Sequence, residues 1–268
     1  MHEYLFFDGK IMPVSQGSLS PFTSAALFGK GIFTTVSIYD RNHFLWEKHW
    51  HRLCDNAERA TIDLSAHPEE TTRKALNEII EKNTVTNGRA RLTFFDESAS
   101  KIWPNDVQQK ATLLITTGET HAGKQDFRLT ISPFQVNTHS PLAGVKSCNY
   151  LDKILALDEA KSRGFDEAIQ VNEQGKITSA AMANVFWLKD NGIFTPSLKT
   201  GCLAGTTREF ILENIGCREV ETGIDELHSA DAIFLTSAGL NVVQVAEFGS
   251  TKFDPVDHPI LGRLPKKT

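Results

Sequence analysis

The stretch from Gly118 to Asp126, GETHAGKQD, has neither a helical nor a strand period, and it divides the chain into two halves that each mix strands with helices. Residues 1–117 read as a smaller α/β domain, 118–126 as an interdomain linker and 127–268 as a larger domain. In the first half, Tyr4–Phe7 and Lys10–Val14 flank the turn Asp8-Gly9 as a hairpin, and Ile32–Tyr39 alternates as a strand. Leu53, Ala57 and Ala60 share one face of a helix running from Glu47 to about Ala60. Ala75, Leu76, Ile79 and Ile80 do so in a second helix that begins near Pro68. Strands follow at Ala90–Phe95 and Ala111–Thr117.

In the second half a strand at Phe127–Ser132 precedes a helix from Asn149 to Arg163. Its buried side is expected at Leu151, Ile154, Leu155 and Leu157, with Gly164 as its cap. Short strands come next at Glu167–Val171, Lys176–Ser179, Val185–Leu188 and Ile193–Thr195, the last two joined by a turn at Asp190-Asn191-Gly192. A helix starts at Thr206 or Thr207, and strands at Ala232–Thr236 and Val242–Phe248 close the pattern. The fold class is α+β, in two domains with a cleft between them.

At 268 residues and 40% hydrophobic, the chain can bury a sizeable core. A net charge of −5 provides no basic field for nucleic acid. The four cysteines, Cys54, Cys148, Cys202 and Cys217, form no CxxC and no His/Cys ligand spacing, so a reduced, cytoplasmic chain without a metal is expected. Neither a signal peptide nor an apolar run near the roughly 20 residues of a membrane helix is present in the sequence.

Four separate segments carry candidate chemistry. Lys146 follows the turn-like run Ser140-Pro141-Leu142-Ala143-Gly144 and stands just before a helix. His49-Trp50-His51-Arg52-Leu53 sets an arginine on a helix, and a phosphate dianion calls for such an arginine or for backbone N–H groups at a helix start. Leu203-Ala204-Gly205-Thr206-Thr207-Arg208 offers the second, a glycine turn with two hydroxyls feeding a helix. Thr236-Ser237-Ala238-Gly239 ends a strand in paired hydroxyls. Taken singly, each reads equally well as a surface helix or a turn with locally bonded hydroxyls.

In this order the segments resemble the fold-type IV (class IV) pyridoxal-phosphate enzymes, which include branched-chain aminotransferase, D-amino-acid aminotransferase and aminodeoxychorismate lyase. Lys146, Asn149-Tyr150-Leu151, Glu159-Ala160 and Gly164-Phe165-Asp166-Glu167-Ala168 are similar to that family's K-x-x-N-Y-L…EA…G-x-DEA run. Residues 49–53 resemble its HxxRL helix and residues 203–208 its LxG[IT][TS]R turn. Phe28-Gly29-Lys30-Gly31-Ile32-Phe33-Thr34-Thr35 looks like the lyases' FGDGxFTT, so the resemblance spans nearly the whole chain. It implies a D-amino-acid-aminotransferase-like fold with pyridoxal 5'-phosphate in the interdomain cleft, and a homodimer. By the same resemblance Lys146 is the Schiff-base lysine, and Arg52, Gly205, Thr206, Thr207, Thr236 and Ser237 meet the phosphate. Tyr150 would hydrogen-bond the ring hydroxyl and Thr35 would lie toward the substrate.

The pattern also breaks. The family's E-G-x-x-x-N-x-F strand carries a glutamate that protonates the ring nitrogen, and Ser179 occupies that position here. A hydroxyl can hydrogen-bond an unprotonated nitrogen but supplies no counter-charge to a pyridinium. Transamination leans on the protonated ring to hold a carbanion, whereas β-elimination can expel a leaving group while that charge is only partly developed. Ser179 therefore predicts a bias toward lyase chemistry. Ser37 and Asp96 stand where relatives carry arginine, and Asp96 is expected to repel a substrate α-carboxylate. Lys30 replaces the aspartate of GDG and either adds a cation near the cleft or faces solvent; Glu173 is expected in solvent. Arg89 and Arg91 share one side of their strand, and Arg91 either meets a substrate carboxylate or forms a surface ion pair.

The leading expectation is a lyase that releases pyruvate and p-aminobenzoate from an amino-bearing chorismate derivative. The alternatives are an aminotransferase for branched-chain or related amino acids, and a non-catalytic relative that binds the cofactor without the ring-nitrogen glutamate. The expected partner is a small-molecule amino substrate, with neither nucleic acid nor membrane.

Overall fold

The computed structural model describes residues 1–98, 111–120, 124 and 126–262. The chain forms two compact units, one of Met1–Thr120 with Val145–Asn149, the other of the chain from 121 to 144 and from Tyr150 onward. The stretch 127–268 is thus not one unbroken body, because the five residues around Lys146 join the first unit. Of the expected linker, Gly118 closes a strand, and residues 121–123 and 125 lie outside the described residues.

The first unit contains β1 (Tyr4–Phe7), β2 (Lys10–Pro13), α1 (Ser24–Phe28), β3 (Gly31–Tyr39), β4 (Asn42–His43), α2 (Trp46–Arg59), α3 (Glu69–Lys82), β5 (Gly88–Asp96) and β6 (Ala111–Gly118). Its strands form an antiparallel sheet in the order β2-β1-β6-β5-β3-β4. The hairpin turn sits where Asp8 and Gly9 take positive φ, as the sequence signals. α2 lies on β3, and α3 on β1 and β6. The buried stripe of α2 is Trp46, His49, Arg52, Leu53, Asn56 and Ala57, helical spacing that carries polar residues inward along with the apolar ones.

The second unit contains β7 (Phe127–Ile131), α4 (Leu151–Ser162), β8 (Glu167–Val171), β9 (Ile177–Ala180), β10 (Asn184–Lys189), β11 (Gly192–Pro196), α5 (Thr206–Asn214), β12 (Cys217–Val220), α6 (Asp225–His228), β13 (Ala232–Ser237), β14 (Asn241–Phe248) and β15 (Thr251–Lys252). The sheet order is β12-β11-β10-β13-β14-β7-β8-β9, with β15 on β14. Its register shifts between Val245 and Glu247, where β14 passes from pairing with β13 to pairing with β7. One core joins Leu129, Ile169, Val185, Trp187, Ile233, Leu235, Val245 and Phe248. A second joins Phe186, Phe234, Ile211 and Ile260.

α4 corrects the sequence reading. Leu151, Ile154 and Leu155 are exposed at 62%, 43% and 47%, while Ala156 and Ala160 are wholly buried. α4 lies on β8, and the short alanine side chains are what fit against that strand. Lys153 falls on the same inward stripe, at the spacing i, i+3, i+7 with Ala156 and Ala160. α1, β12 and α6 carry no clear sequence signal. Among the described residues no helix is long and apolar enough to cross a membrane.

Candidate active site

In the first unit, Lys146 is held by its backbone. The Phe33 N–H donates to the Lys146 carbonyl at 2.9 Å and the Cys148 N–H to the Gly31 carbonyl at 2.8 Å, so the segment runs beside β3 as a short antiparallel bridge. This close approach explains the Gly-Lys-Gly run. A Cβ on Gly31 would stand 2.9 Å from Cys148 Sγ, and one on Gly29, already at φ +64°, 2.7 Å from Asn149 Oδ1. Lys146 Nζ lies 4.5 Å from the centre of the Phe33 ring, and Arg91 Cζ 3.6 Å from it.

Arg52 and His49 meet at Thr34. Arg52 Nη2 donates to Thr34 Oγ1 at 2.6 Å, and Thr34 Oγ1 lies 2.6 Å from His49 Nδ1. All three side chains are buried. Arginine has only donors, so the single threonine proton is left for His49 Nδ1, which must be bare. His49 is therefore neutral with its proton on Nε2. Burial, then the charges of Arg52 and Lys146, hold it well below the usual histidine range. Phe33, Thr35 and Arg91 share the other face of the sheet, because Thr35 is directly opposite Arg91 in the register. Arg91 is stacked on Phe33 and donates to Thr93 Oγ1 at 3.3 Å.

Two charges sit differently from the sequence expectation. Lys30 Nζ is 3.1 Å from Asp96, and Ser98 donates to the same carboxylate from its N–H at 2.9 Å and its hydroxyl at 2.5 Å. Burial alone would raise Asp96, but these contacts offset it and hold the group below the usual carboxylate range. Lys30 thus neutralises Asp96, and Asp96 repels an incoming carboxylate less than an unpaired one would. Glu173 accepts from the Thr138 N–H at 3.0 Å and from its hydroxyl, so it secures a turn instead of standing free in water.

In the second unit, Ser179 is buried and directly opposite Gln170 in the β8–β9 register. Gln170 Oε1 accepts from Lys153 Nζ at 2.5 Å. Glu167 accepts from the N–H groups of Ala168 and Ala181 at 3.0 Å and of Met182 at 2.9 Å, which pins the bend after β9. Burial pushes Glu167 up to about 7 and brings Lys153 down to about 8, each partly offset by the other's charge. Sequence reasoning quoted Glu167 only as a motif letter and missed Lys153 and Gln170; a lysine on the alanine stripe of α4 was the available signal.

The pinning by Glu167 has a pH signature. Between pH 4.5 and about 7 the unfolded chain has released this proton and the folded chain retains it, so stability falls as pH rises through that window. The loss is roughly 3 kcal/mol at most. Glu167→Gln is expected to remove that downward slope in denaturant titrations across the window, and an unchanged slope would refute the assignment. His49 acts oppositely, since below pH 6.5 the unfolded chain takes up a proton that the folded chain refuses.

The N-terminus of α5 follows Gly205, and no side chain caps its first turn. Thr206 and Thr207 are buried there. A Cβ on Gly205 would stand 2.0 Å from Asn184 Oδ1, and Asn184 Nδ2 donates to the Leu203 carbonyl at 2.8 Å. Asn184 is directly opposite Thr236, whose Oγ1 is wholly buried with no hydrogen-bond partner among the described residues. A buried hydroxyl without a partner, beside an uncapped helix start that only glycine permits, fits a phosphate ester. Ser237 Oγ accepts from the Leu240 N–H at 3.1 Å and so serves a local turn. Buried Arg208 pairs with Glu219 and donates to the Pro196 carbonyl at 2.8 Å, tying α5 to β11 and β12. Tyr150 stands, partly buried, at the start of α4.

Comparison with known proteins agrees with this arrangement. Residues 31–248 match the family described as amino-transferase class IV. An aminodeoxychorismate lyase of Bacillus subtilis (strain 168) is 30% identical over 254 residues, covering 89% of this chain and 84% of that protein. A branched-chain-amino-acid aminotransferase of Escherichia coli (strain K12) is 25% identical over 260 residues, covering 91% and 84%. A solved branched-chain aminotransferase of the thermophilic archaeon Thermoproteus uzoniensis, with norvaline, superposes with a TM-score of 0.90 at 22% identity, covering 96% of this chain and 91% of that one.

Proposed function

The chain belongs to the class IV amino-transferase family, and on that premise we propose that it is a pyridoxal-phosphate enzyme of the aminodeoxychorismate-lyase type, releasing pyruvate and p-aminobenzoate. The observation that carries the lyase reading is Ser179, a buried hydroxyl where a carboxylate would favour transamination. When bound, pyridoxal phosphate supplies an aldehyde for the substrate amine and an electron-withdrawing ring. Lys146 is the residue that bonds the aldehyde and, once displaced by substrate, takes the α-proton at its Nζ. Arg52, the amides of Thr206 and Thr207 and the hydroxyl of Thr236 hold the phosphate. Neutral His49 keeps Thr34 turned as an acceptor toward Arg52, which fixes one edge of the guanidinium. Tyr150 takes the ring hydroxyl, and Ser179 donates to an unprotonated ring nitrogen. Thr35 and Arg91, sharing one sheet face, are the candidates for the substrate side.

The reading includes a cytoplasmic homodimer, in which the exposed Leu151, Ile154 and Leu155 would gain from cover. The aminotransferase alternative draws on the likeness to the Escherichia coli enzyme. Pyruvate release from aminodeoxychorismate, measured beside amino transfer to 2-oxoglutarate, decides between them. Wild type is expected to release pyruvate and to transfer amino groups slowly, and Ser179→Glu is expected to speed transfer. Transfer without pyruvate release would overturn the lyase reading, and an unaltered transfer rate in the variant would remove the role given to Ser179.

A further inference from the structure

Behind Ser179 lies a polar assembly that the reaction as described does not use. Ser179 and Gln170 are cross-strand partners, so their side chains leave the sheet on the same face, with Cβ atoms about 5 Å apart. That face is covered by α4, from which Lys153 reaches Gln170 Oε1 at 2.5 Å. Gln170 is 2% exposed and Ser179 6%, so this is an interior arrangement and not a solvated pair. The direction of the hydrogen bonds is fixed. An ammonium has donors only, so it takes the glutamine carbonyl. The glutamine amide is then left as a donor, and one of its N–H groups reaches the Phe134 carbonyl at 3.4 Å. The wall around Ser179 therefore presents donors and a positive charge.

The negative groups that act on Lys153 are accounted for. Glu167 spends its oxygens on the N–H groups of Ala168, Ala181 and Met182. Asp152 is exposed on the outer side of α4, and Cys202 is a buried thiol that burial holds protonated.

We propose that Lys153, anchored by Gln170, is a positioning residue that keeps the cofactor's ring nitrogen unprotonated at Ser179. This rests on the pyridoxal-phosphate reading above and on its placement of the ring nitrogen at Ser179. A pyridinium would bring a second positive charge toward a buried ammonium, whereas a neutral ring nitrogen is an acceptor that the Ser179 hydroxyl can satisfy. Loss of the carboxylate at position 179 and the presence of an inward lysine on α4 are then two parts of one device. It biases the site away from reactions that need the protonated ring.

The test is 15N NMR of the holoenzyme reconstituted with pyridoxal phosphate labelled at the ring nitrogen, whose pyridine and pyridinium forms resonate far apart. Wild type is expected in the pyridine range. Lys153→Met is expected to raise the proton affinity of the ring nitrogen about tenfold, and Lys153→Arg, which restores the charge, to return it toward wild type. Gln170→Leu releases the ammonium while keeping its charge, and is expected to fall between wild type and Lys153→Met. It is the variant to read if Lys153→Met does not accumulate folded. A pyridinium signal in wild type, or identical titrations in wild type and the variants that fold, would overturn the proposal. Protein that retains no labelled cofactor after dialysis would instead overturn the pyridoxal-phosphate reading itself, so the two failures are distinguishable.

Discussion

Lys146→Ala is expected to abolish the pyridoxyl adduct that borohydride fixes on the wild-type holoenzyme, and to cut turnover by roughly 10²–10⁴-fold, the usual worth of a placed general acid–base group. The segment should keep its fold in the variant. It is held against β3 by the carbonyl of Lys146 and the N–H of Cys148, both backbone groups that alanine preserves. The lost contact is the side chain over the Phe33 ring, at an exposed-site worth of about 0.5–1 kcal/mol. A variant with wild-type thermal stability and no activity therefore isolates the chemistry of the amine. Two results would count against the assignment: an adduct mapped by mass spectrometry to another lysine, or a wild-type protein that stays colourless and unmodified after soaking in cofactor. The second would favour the non-catalytic alternative.

How far such a site can be read from sequence depends on whether its parts are local. The turn residues announced the hairpins at Asp8-Gly9 and Asp190-Asn191, where the backbone does take positive φ. The glycine before Thr206 announced the start of α5. These signals survive in a single segment because backbone geometry imposes them. The His49–Thr34–Arg52 contact was invisible because it forms only when α2 lies on β3, and sequence spacing does not say which strand a helix will cover. The Lys30–Asp96 pair was missed for a similar reason. It follows from the β3–β5 register, which sets Gly31 opposite Phe95 and so brings the flanking residues together. On α4 the hydrophobic stripe pointed the wrong way. Four large apolar residues satisfy the helical period, but the face on β8 holds two alanines and a lysine, and periodicity cannot weigh bulk against room.

Gly205→Ala is expected to cost both stability and phosphate affinity, although its backbone would accept alanine without strain. At φ −70° and ψ 136° the residue is in ordinary extended conformation, unlike Gly201 at φ +88°. The obstacle is Asn184, whose Oδ1 would lie 2.0 Å from the new Cβ. Asn184 is 6% exposed and its amide holds the Leu203 carbonyl, so it has little freedom to turn away. Displacing it breaks that hydrogen bond, at about 1–3 kcal/mol for a buried group left unsatisfied. Overpacking adds about 1–3 kcal/mol. A fall in Tm on the order of 5–15 °C follows. The same displacement moves the start of α5 and the neighbour of Thr236, so affinity for pyridoxal 5'-phosphate should drop at least about tenfold, the equivalent of losing one charge-assisted hydrogen bond. Affinity for pyridoxal, which has no phosphate, should change much less, and that contrast separates a damaged phosphate seat from general unfolding. Asn184→Ala in the same chain removes the clashing oxygen and should recover part of the Tm, a coupling expected only for residues in contact. Equal loss of affinity for both compounds, or a Gly205→Ala protein as stable as wild type, would mean that the glycine is not what holds the helix start open to an anion.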